Sequence, residues 1–212
     1  GKLGNMVTVE KCKVCGCGES KTLFTGVQKD PYYQIVYPKL ETIPMNWVAC
    51  QKCGLTYRKE QLDDKENKLL YENYRKIMLK KESAEAYFNR ITTIPDDKSE
   101  NYSRALFLKS MIDKLGPLPG NAHLDIGTGA GVFIHTFLRV CPEFKSYAVE
   151  ATPVFAETCE RLLKIKVFKG FYRCNLFDTK FTIISLLQVL EHFNDPKESL
   201  FHVSKDLDSG GL

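Results

Sequence analysis

The sequence predicts an α/β fold: a parallel sheet built from strand, glycine turn and helix, carried behind a small cysteine-rich module. Three observations predict it. Ala122 to Ile126 reads as a buried strand that breaks into Gly127, Gly129 and Gly131, then into Val132, Phe133, Ile134, Phe137 and Leu138 at helical spacing. A second short run, Ser146-Tyr147-Ala148-Val149, ends on the acid Glu150. Two Cys-x-x-Cys pairs, Cys12/Cys15 and Cys50/Cys53, open the chain.

Composition sets the bounds. The 212 residues suit one ordinary domain, or a large domain with a small module. With 43% apolar and 26% charged residues the chain can build a core, which excludes collagenous, low-complexity and disordered classes. Thirty basic against 26 acidic residues leave a net charge of +4, too near balance to require a polyanionic partner. No stretch approaches the roughly 18 apolar residues of a membrane helix, and Gly1 to Glu10 lacks a basic head followed by an apolar run. The expectation is a soluble, cytoplasmic protein with no membrane partner. Because the chain opens on Gly and its first methionine is Met6, the opening residues are left out of the fold reading.

The cysteines fall into two groups. Each N-terminal pair sits on a tight turn followed by glycine, Gly16 or Gly54, whose positive φ lets backbone amides approach sulfur. Two such pairs offer four thiolates, the soft tetrahedral set that Zn(II) favours. This is a zinc-ribbon-like pattern, with Cys12, Cys15, Cys50 and Cys53 as ligands of a structural zinc. The 34 residues between the pairs exceed ribbon spacing, so a hairpin with an insertion is expected, in which Tyr32, Tyr33, Ile35, Val36 and Tyr37 read as strand. A disulfide framework and a redox dithiol are the alternative readings. Cys17 is a spare that could displace a neighbour as ligand. Cys141, Cys159 and Cys174 are scattered singly and read as small apolar residues.

Between 61 and 116 the chain turns charged and helix-prone. Leu69, Leu70, Tyr71, Tyr74, Ile77 and Met78 recur at helical spacing, and Arg75, Lys76, Lys80 and Lys81 form a basic run beside aromatics. That run reads as a solvated helix face, with RNA as the alternative partner. A second amphipathic helix over Asn101 to Leu115, apolar at Leu106, Phe107, Ile112 and Leu115, ends at Gly116-Pro117. Pro117, Pro119 and Gly120 mark a boundary. The predicted organisation is a zinc-binding module over 1–60, a helical connecting segment over 61–116 and a cofactor-binding domain over 117–212.

The glycine turn follows a strand and opens a helix, whose free amides point at a ligand. Glu150 lies 21 residues beyond Gly129, where a carboxylate at the second strand tip can accept hydrogen bonds from ribose hydroxyls. The unit reads as a seat for an adenosine-containing cofactor. A dinucleotide fingerprint would be Gly-x-Gly-x-x-Gly, whereas this chain has Asp125-x-Gly127-x-Gly129-x-Gly131. An acid at the strand end repels a diphosphate and suits a ligand bearing an ammonium and a sulfonium. A nicotinamide or nucleotide-binding domain is the alternative.

Here the sequence resembles the class I S-adenosylmethionine-dependent methyltransferases, whose first motif has this form and whose ribose-binding acid Glu150 matches. The stretch from Phe177-Asp178 through Leu190-Glu191-His192 to Asp195-Pro196 is similar to that family's fourth strand and following loop. Asp195 there caps a helix with Pro196 at its first position and Glu198 in a capping-box-like place. The resemblance covers 120–212 and implies a Rossmann-like methyltransferase sheet. It implies cofactor contacts from Asp125, Gly127, Thr128, Gly129, Gly131, Glu150 and Gln188. With the cysteine module and the tyrosine-bearing helix, the chain resembles zinc-containing sugar C-methyltransferases of natural-product and surface-saccharide biosynthesis. That narrower resemblance implies a small-molecule acceptor, a nucleotide-linked sugar or related metabolite, and catalytic roles for His192, Glu191, Tyr71 and Tyr74.

An imidazole can take a proton from the acceptor at neutral pH, which makes His192 the base, with Glu191 orienting it or touching substrate. Related enzymes bind a divalent metal with Glu-x-x-Glu-His; Gln188 at the first place is a neutral amide and a poorer ligand for a hard cation, so a route without metal is expected. His123 reads as a core residue, and His135 and His202 as helical residues without an evident partner. The family's sheet has seven strands, but this chain ends at Leu212, so the expected sheet is incomplete after its fourth strand. Its open parallel edge would invite pairing, including a homodimer. An RNA methyltransferase and an inactive methyltransferase-like binding module are the alternative functions, and nucleic acid is the less favoured partner.

Overall fold

The computed structural model describes residues 6–79 and 82–212. The chain divides into two compact units, Gly1–Met78 with His192–Glu198, and Leu79–Glu191 with Ser199–Leu212. Among the described residues no helix is long and apolar enough to cross a membrane.

The first unit contains β1 (Val7–Thr8), β2 (Ser20–Gln28), α1 (Tyr33–Val36), β3 (Ile43–Cys50), β4 (Thr56–Arg58), β5 (Glu60–Gln61) and α2 (Asp64–Met78). β2, β3 and β4 make an antiparallel meander, and β1 pairs with β5. Ser20 lies opposite Cys50 and Gln28 opposite Ile43, so the open end of the long β2–β3 hairpin is the cysteine end. The hairpin insertion is the expected device, but its aromatic stretch is not a strand. Tyr33–Val36 forms a helical turn because the Asp30 carboxylate accepts the N–H groups of Tyr32 and Tyr33 at 2.9 and 3.3 Å. Pro31 has no N–H to lose in that first turn, so local capping overrides the strand propensity of the tyrosines.

α2 begins in a reciprocal capping box: Glu66 N–H donates to Asp63 Oδ1 at 2.8 Å, and Asp63 N–H to Glu66 Oε2 at 2.9 Å. Tyr71 and Tyr74 stack edge-to-face on it at 5.4 Å, while Leu69 and Ile77 stay exposed. The side chains of Arg75, Lys76 and Met78, and residues Lys80 and Lys81, lie outside the described residues, and with them every side chain of the predicted basic run.

The second unit begins with α3 (Ala84–Thr92) and α4 (Glu100–Leu115), capped by the Ser83 and Ser99 hydroxyls. The segment read as one connector, 61–116, is shared between the units, with α2 in the first and α3 and α4 in the second. The apolar face expected of α4 is corrected: Ala105 is fully buried with Leu108 and Ile112 packed beside it, whereas Leu106, Phe107 and Leu115 are exposed. These three residues share one helix face at i, i+3 and i+7, and that face meets the core of Phe133, Phe137 and Phe144.

There follow β6 (Ala122–Ile126), α5 (Val132–Val140), β7 (Lys145–Glu150), α6 (Pro153–Leu163), β8 (Lys166–Lys169), β9 (Ile183–Ser185) and α7 (Pro196–Asp206). The four strands are parallel in the order β8-β7-β6-β9. The chain thus starts at β6, winds one way to β8 and returns to the other side of β6 at β9, the reversal at which open α/β sheets bind ligands. Phe137 and Phe155, with no exposed surface, each stabilise the sheet's packing by about 1.5–3 kcal/mol. Asp195 caps α7 as predicted, accepting the Glu198 N–H at 2.9 Å. The outer edge of β9, expected to stand open, is partly taken by the chain itself. Leu212 donates its N–H to Thr182 O at 2.8 Å and accepts the Ile184 N–H at 2.9 Å.

Candidate functional site

The thiol cluster stands at the open end of the β2–β3 hairpin. Gly16 and Gly54 adopt φ of 73° and 76°, and each returns its N–H to the carbonyl of the first cysteine of its pair, at 2.8 and 3.0 Å. The four sulfurs of Cys12, Cys15, Cys50 and Cys53 lie within 4.8 Å of one another. Cys12 and Cys53 approach to 3.6 Å and Cys15 and Cys50 to 3.4 Å. These separations exceed the about 2.05 Å of a disulfide and sit near the ~3.8 Å edge of a tetrahedron with Zn–S of ~2.3 Å. Donation from the Cys53 backbone, then from Lys52, pulls the Cys50 thiol down to about 6, while burial and the neighbouring thiols push Cys15 up to about 12, so without a metal the sulfurs share protons unequally. Cys17 stands outside the group, its sulfur accepting the Glu19 N–H at 3.4 Å.

The second constellation lies at the carboxyl ends of β6 and β7. Gly127, Gly129 and Gly131 adopt φ of 72°, 60° and 86°. The Gly127 and Thr128 N–H groups both reach Val149 O, at 2.8 and 3.3 Å, fastening the turn to β7. Two of the glycines also answer to packing, a reason the sequence reading did not supply. A Cβ on Gly127 would lie 2.4 Å from Val189 Cγ2, and one on Gly131 2.7 Å from Cys159 Sγ. Gln188, at φ 55°, turns the chain after β9 so that Val189 meets the glycine turn.

Glu150 ends β7 and is buried. Its Oε2 accepts the Gly129 N–H and its Oε1 the Thr152 N–H, both at 2.7 Å. A carboxylate offers about four acceptor sites, so both oxygens keep capacity for hydroxyl donors. Asp125, also buried, accepts the Ser185 hydroxyl on Oδ1 at 2.6 Å. Burial pushes its carboxyl up to about 6, with the nearby Glu150 charge adding to the rise. Two buried acids beside a glycine turn fit a cationic adenosine donor such as S-adenosylmethionine and oppose a diphosphate.

Glu191 and His192 occupy the 3-10 turn Leu190–His192 that follows β9. Each unit holds its own part of the predicted set: Tyr71, Tyr74 and His192 belong to the first, and Asp125, Gly127, Thr128, Gly129, Gly131, Glu150, Gln188 and Glu191 to the second. The fully buried His123 is a core residue, as read, and burial pushes it down to about 3, so it is neutral. Two other readings need correction. His202 does have a partner, its Nδ1 lying 3.1 Å from Cys174 Sγ, which also removes Cys174 from the small apolar residues. His135 meets the Phe88 ring edge-on at 5.4 Å. Ser185, which grips Asp125, went unread; the only signal was a hydroxyl inside an otherwise apolar strand.

Residues 124–212 match the family model described as a methyltransferase domain. A search of curated proteins returned no match. Among solved structures the chain is similar to the plantazolicin methyltransferase BpumL in complex with a desmethyl analogue and S-adenosylhomocysteine, at 17% identity and a TM-score of 0.50, covering 63% of this chain and 49% of that one. It is also similar to CalS10, an amino pentose methyltransferase from Micromonospora echinaspora, at 19% identity and a TM-score of 0.47, covering 55% and 50%. A third is an S-adenosylmethionine-dependent methyltransferase from Clostridium acetobutylicum, at 18% identity and a TM-score of 0.47, covering 54% and 49%. The chain spans about half the length of these structures. The stretch from 124 to 212 thus matches a methyltransferase domain model, and the chain shares with BpumL a Rossmann-like α/β fold.

Proposed function

We propose that this chain is an S-adenosylmethionine-dependent methyltransferase acting on a small molecule, a nucleotide-linked sugar or related metabolite. The observation that carries the reading is Glu150, whose carboxylate bridges Gly129 and Thr152 at the end of β7 beside the buried Asp125. This arrangement supports ribose binding by Glu150 and a negative seat for a sulfonium. When bound, the donor supplies an electrophilic methyl carbon: the bond from sulfur to carbon breaks as the bond from acceptor to carbon forms, and the donor leaves as a neutral thioether. Asp125, Gly127, Thr128, Gly129, Gly131, Glu150 and Gln188 hold and orient it. His192 takes the acceptor's proton, Glu191 orients the imidazole, and Tyr71 and Tyr74 serve the acceptor. The sugar acceptor rests on the pairing of a cysteine module with this domain. Cys12, Cys15, Cys50 and Cys53 would hold a zinc ion whose filled shell supports structure and leaves no open position for a substrate.

The test is calorimetric titration with S-adenosylhomocysteine, followed by mass-spectrometric assay of nucleotide-linked sugars incubated with S-adenosylmethionine. Binding and a mass gain of one methylene confirm the reading. Binding without turnover on any acceptor would make the chain a binding module, and absence of binding would reject the enzyme.

A further inference from the structure

A continuous hydrogen-bonded chain crosses the middle of the parallel sheet. The Ser146 hydroxyl on β7 lies 2.9 Å from His123 Nδ1 on β6, and His123 Nε2 lies 2.8 Å from the Ser185 hydroxyl on β9. Ser185 then donates to Asp125 Oδ1 at 2.6 Å. His123 has no exposed surface, and Asp125 and Ser146 have 2% and 3%. We propose that Ser185, His123 and Ser146 are positioning residues for Asp125, a chain across β9, β6 and β7 that sets its carboxylate and ties its proton to the tautomer of His123. The inference rests on the methyltransferase reading only for what Asp125 serves.

The direction of the chain follows from donor arithmetic. An ionised Asp125 takes the Ser185 proton, so Ser185 oxygen must accept from His123 Nε2–H, and Nδ1 must accept from Ser146. A protonated Asp125 can donate to Ser185 instead. Ser185 then donates to Nε2, and His123 gives its Nδ1 proton to Ser146. One proton at Asp125 thereby reverses three bonds while the imidazole stays neutral, so no charge enters the core. The other titratable groups acting on Asp125 are Glu150 on β7, which favours its protonation, and the Cys159 thiol on α6, which burial pushes up to about 12 and keeps neutral. A sulfonium in the seat favours the ionised form and therefore the Nε2–H tautomer.

The experiment is nitrogen-15 NMR of the histidines in the full, ligand-free chain, from about pH 8 to about pH 5, with His123→Gln used to assign the signal. The expected result is a neutral His123 whose unprotonated nitrogen changes from Nδ1 to Nε2 as Asp125 takes its proton. Ser185→Ala should abolish the change and weaken S-adenosylmethionine about tenfold near neutral pH, by loss of a hydrogen bond to a charged group. Ser185→Thr, which keeps the hydroxyl, should restore both. A tautomer that does not change with pH, an imidazolium appearing in this range, or a switch that survives Ser185→Ala would overturn the inference. The wild-type titration decides even if a variant does not fold. Should the tautomer switch while the donor fails to bind, the chain of bonds stands and the methyltransferase reading falls; should the donor bind with a static tautomer, the reverse holds.

Discussion

Val189 is seated directly on Gly127: a Cβ added to this glycine would lie 2.4 Å from Val189 Cγ2 and 3.1 Å from Cγ1. The loop after β9 thus closes over the turn after β6, at the place where the strand order reverses. Gly127→Ala combines two costs, about 1–2 kcal/mol for a side chain at positive φ and about 1–3 kcal/mol for overpacking. Urea unfolding should show their sum, and affinity for S-adenosylhomocysteine should fall with it. Adding Val189→Ala should recover only the overpacking part. If the double variant is no more stable than Gly127→Ala, the contact with Val189 does not limit this position.

The cysteine module makes a sharper prediction about identity than about energy. Metal analysis of the purified chain should find one zinc per molecule. Cys12→Ser, which removes a buried ligand, should lose it, and Cys17→Ser should keep it, because the Cys17 sulfur turns to the Glu19 N–H and stands outside the four-sulfur group. Zinc lost from the Cys17 variant and retained by the Cys12 variant would mean that the ligands have been wrongly chosen.

Much of this was legible in the sequence because it is local. The run Asp125-x-Gly127-x-Gly129-x-Gly131 announces a strand that must turn at positive φ into a helix, and Asp195-Pro196 announces a helix start. The two cysteine pairs foretell through spacing alone that their four sulfurs gather in one place. What escaped depends on groups distant in the chain. Val189 and Gly127 meet because β9 returns beside β6, a register that no local pattern encodes. His123, Ser146 and Ser185 are three unremarked polar residues until pairing of the strands lines them up. The tyrosines at 32–37 misled for the opposite reason. Their strand propensity was real, but Asp30 and Pro31 had already fixed the first turn of a helix.

Asp125 and His123 should pull acid stability in opposite directions. Asp125 is raised from 3.8 to about 6, so the folded state holds its proton more tightly than the unfolded chain. Its contribution is full below 3.8 and is lost as pH rises toward 6. His123 is lowered from 6.5 to about 3, so its contribution is full above 6.5 and is lost as pH falls toward 3. The two slopes cancel between 3.8 and about 6, which hides both in the wild type. In Asp125→Asn only the histidine remains, and urea midpoints should drop by about 1.4 kcal/mol of stability per pH unit as pH falls below about 6. In His123→Gln the sign should invert over the same window. A flat profile in both variants would mean that neither group is perturbed by its burial.

Replacing Glu150 with Ala should weaken S-adenosylhomocysteine binding by about 1–3 kcal/mol, read by calorimetry, since hydrogen bonds to a charged acceptor are lost. The same change frees the Gly129 and Thr152 N–H groups, so part of the loss could come from a loosened turn. Glu150→Gln separates the two, because its amide oxygen can still accept one backbone N–H while the charge is gone. If Gln restores the unfolding midpoint but not the affinity, the carboxylate acts on the ligand. His192→Ala offers the complementary case: turnover on a productive acceptor should fall about a hundredfold or more with donor affinity unchanged, the signature of a proton acceptor rather than a binding group. Equal losses of affinity in the Glu150 and His192 variants would leave neither with a distinct role and would send the search for the base to Tyr71 and Tyr74.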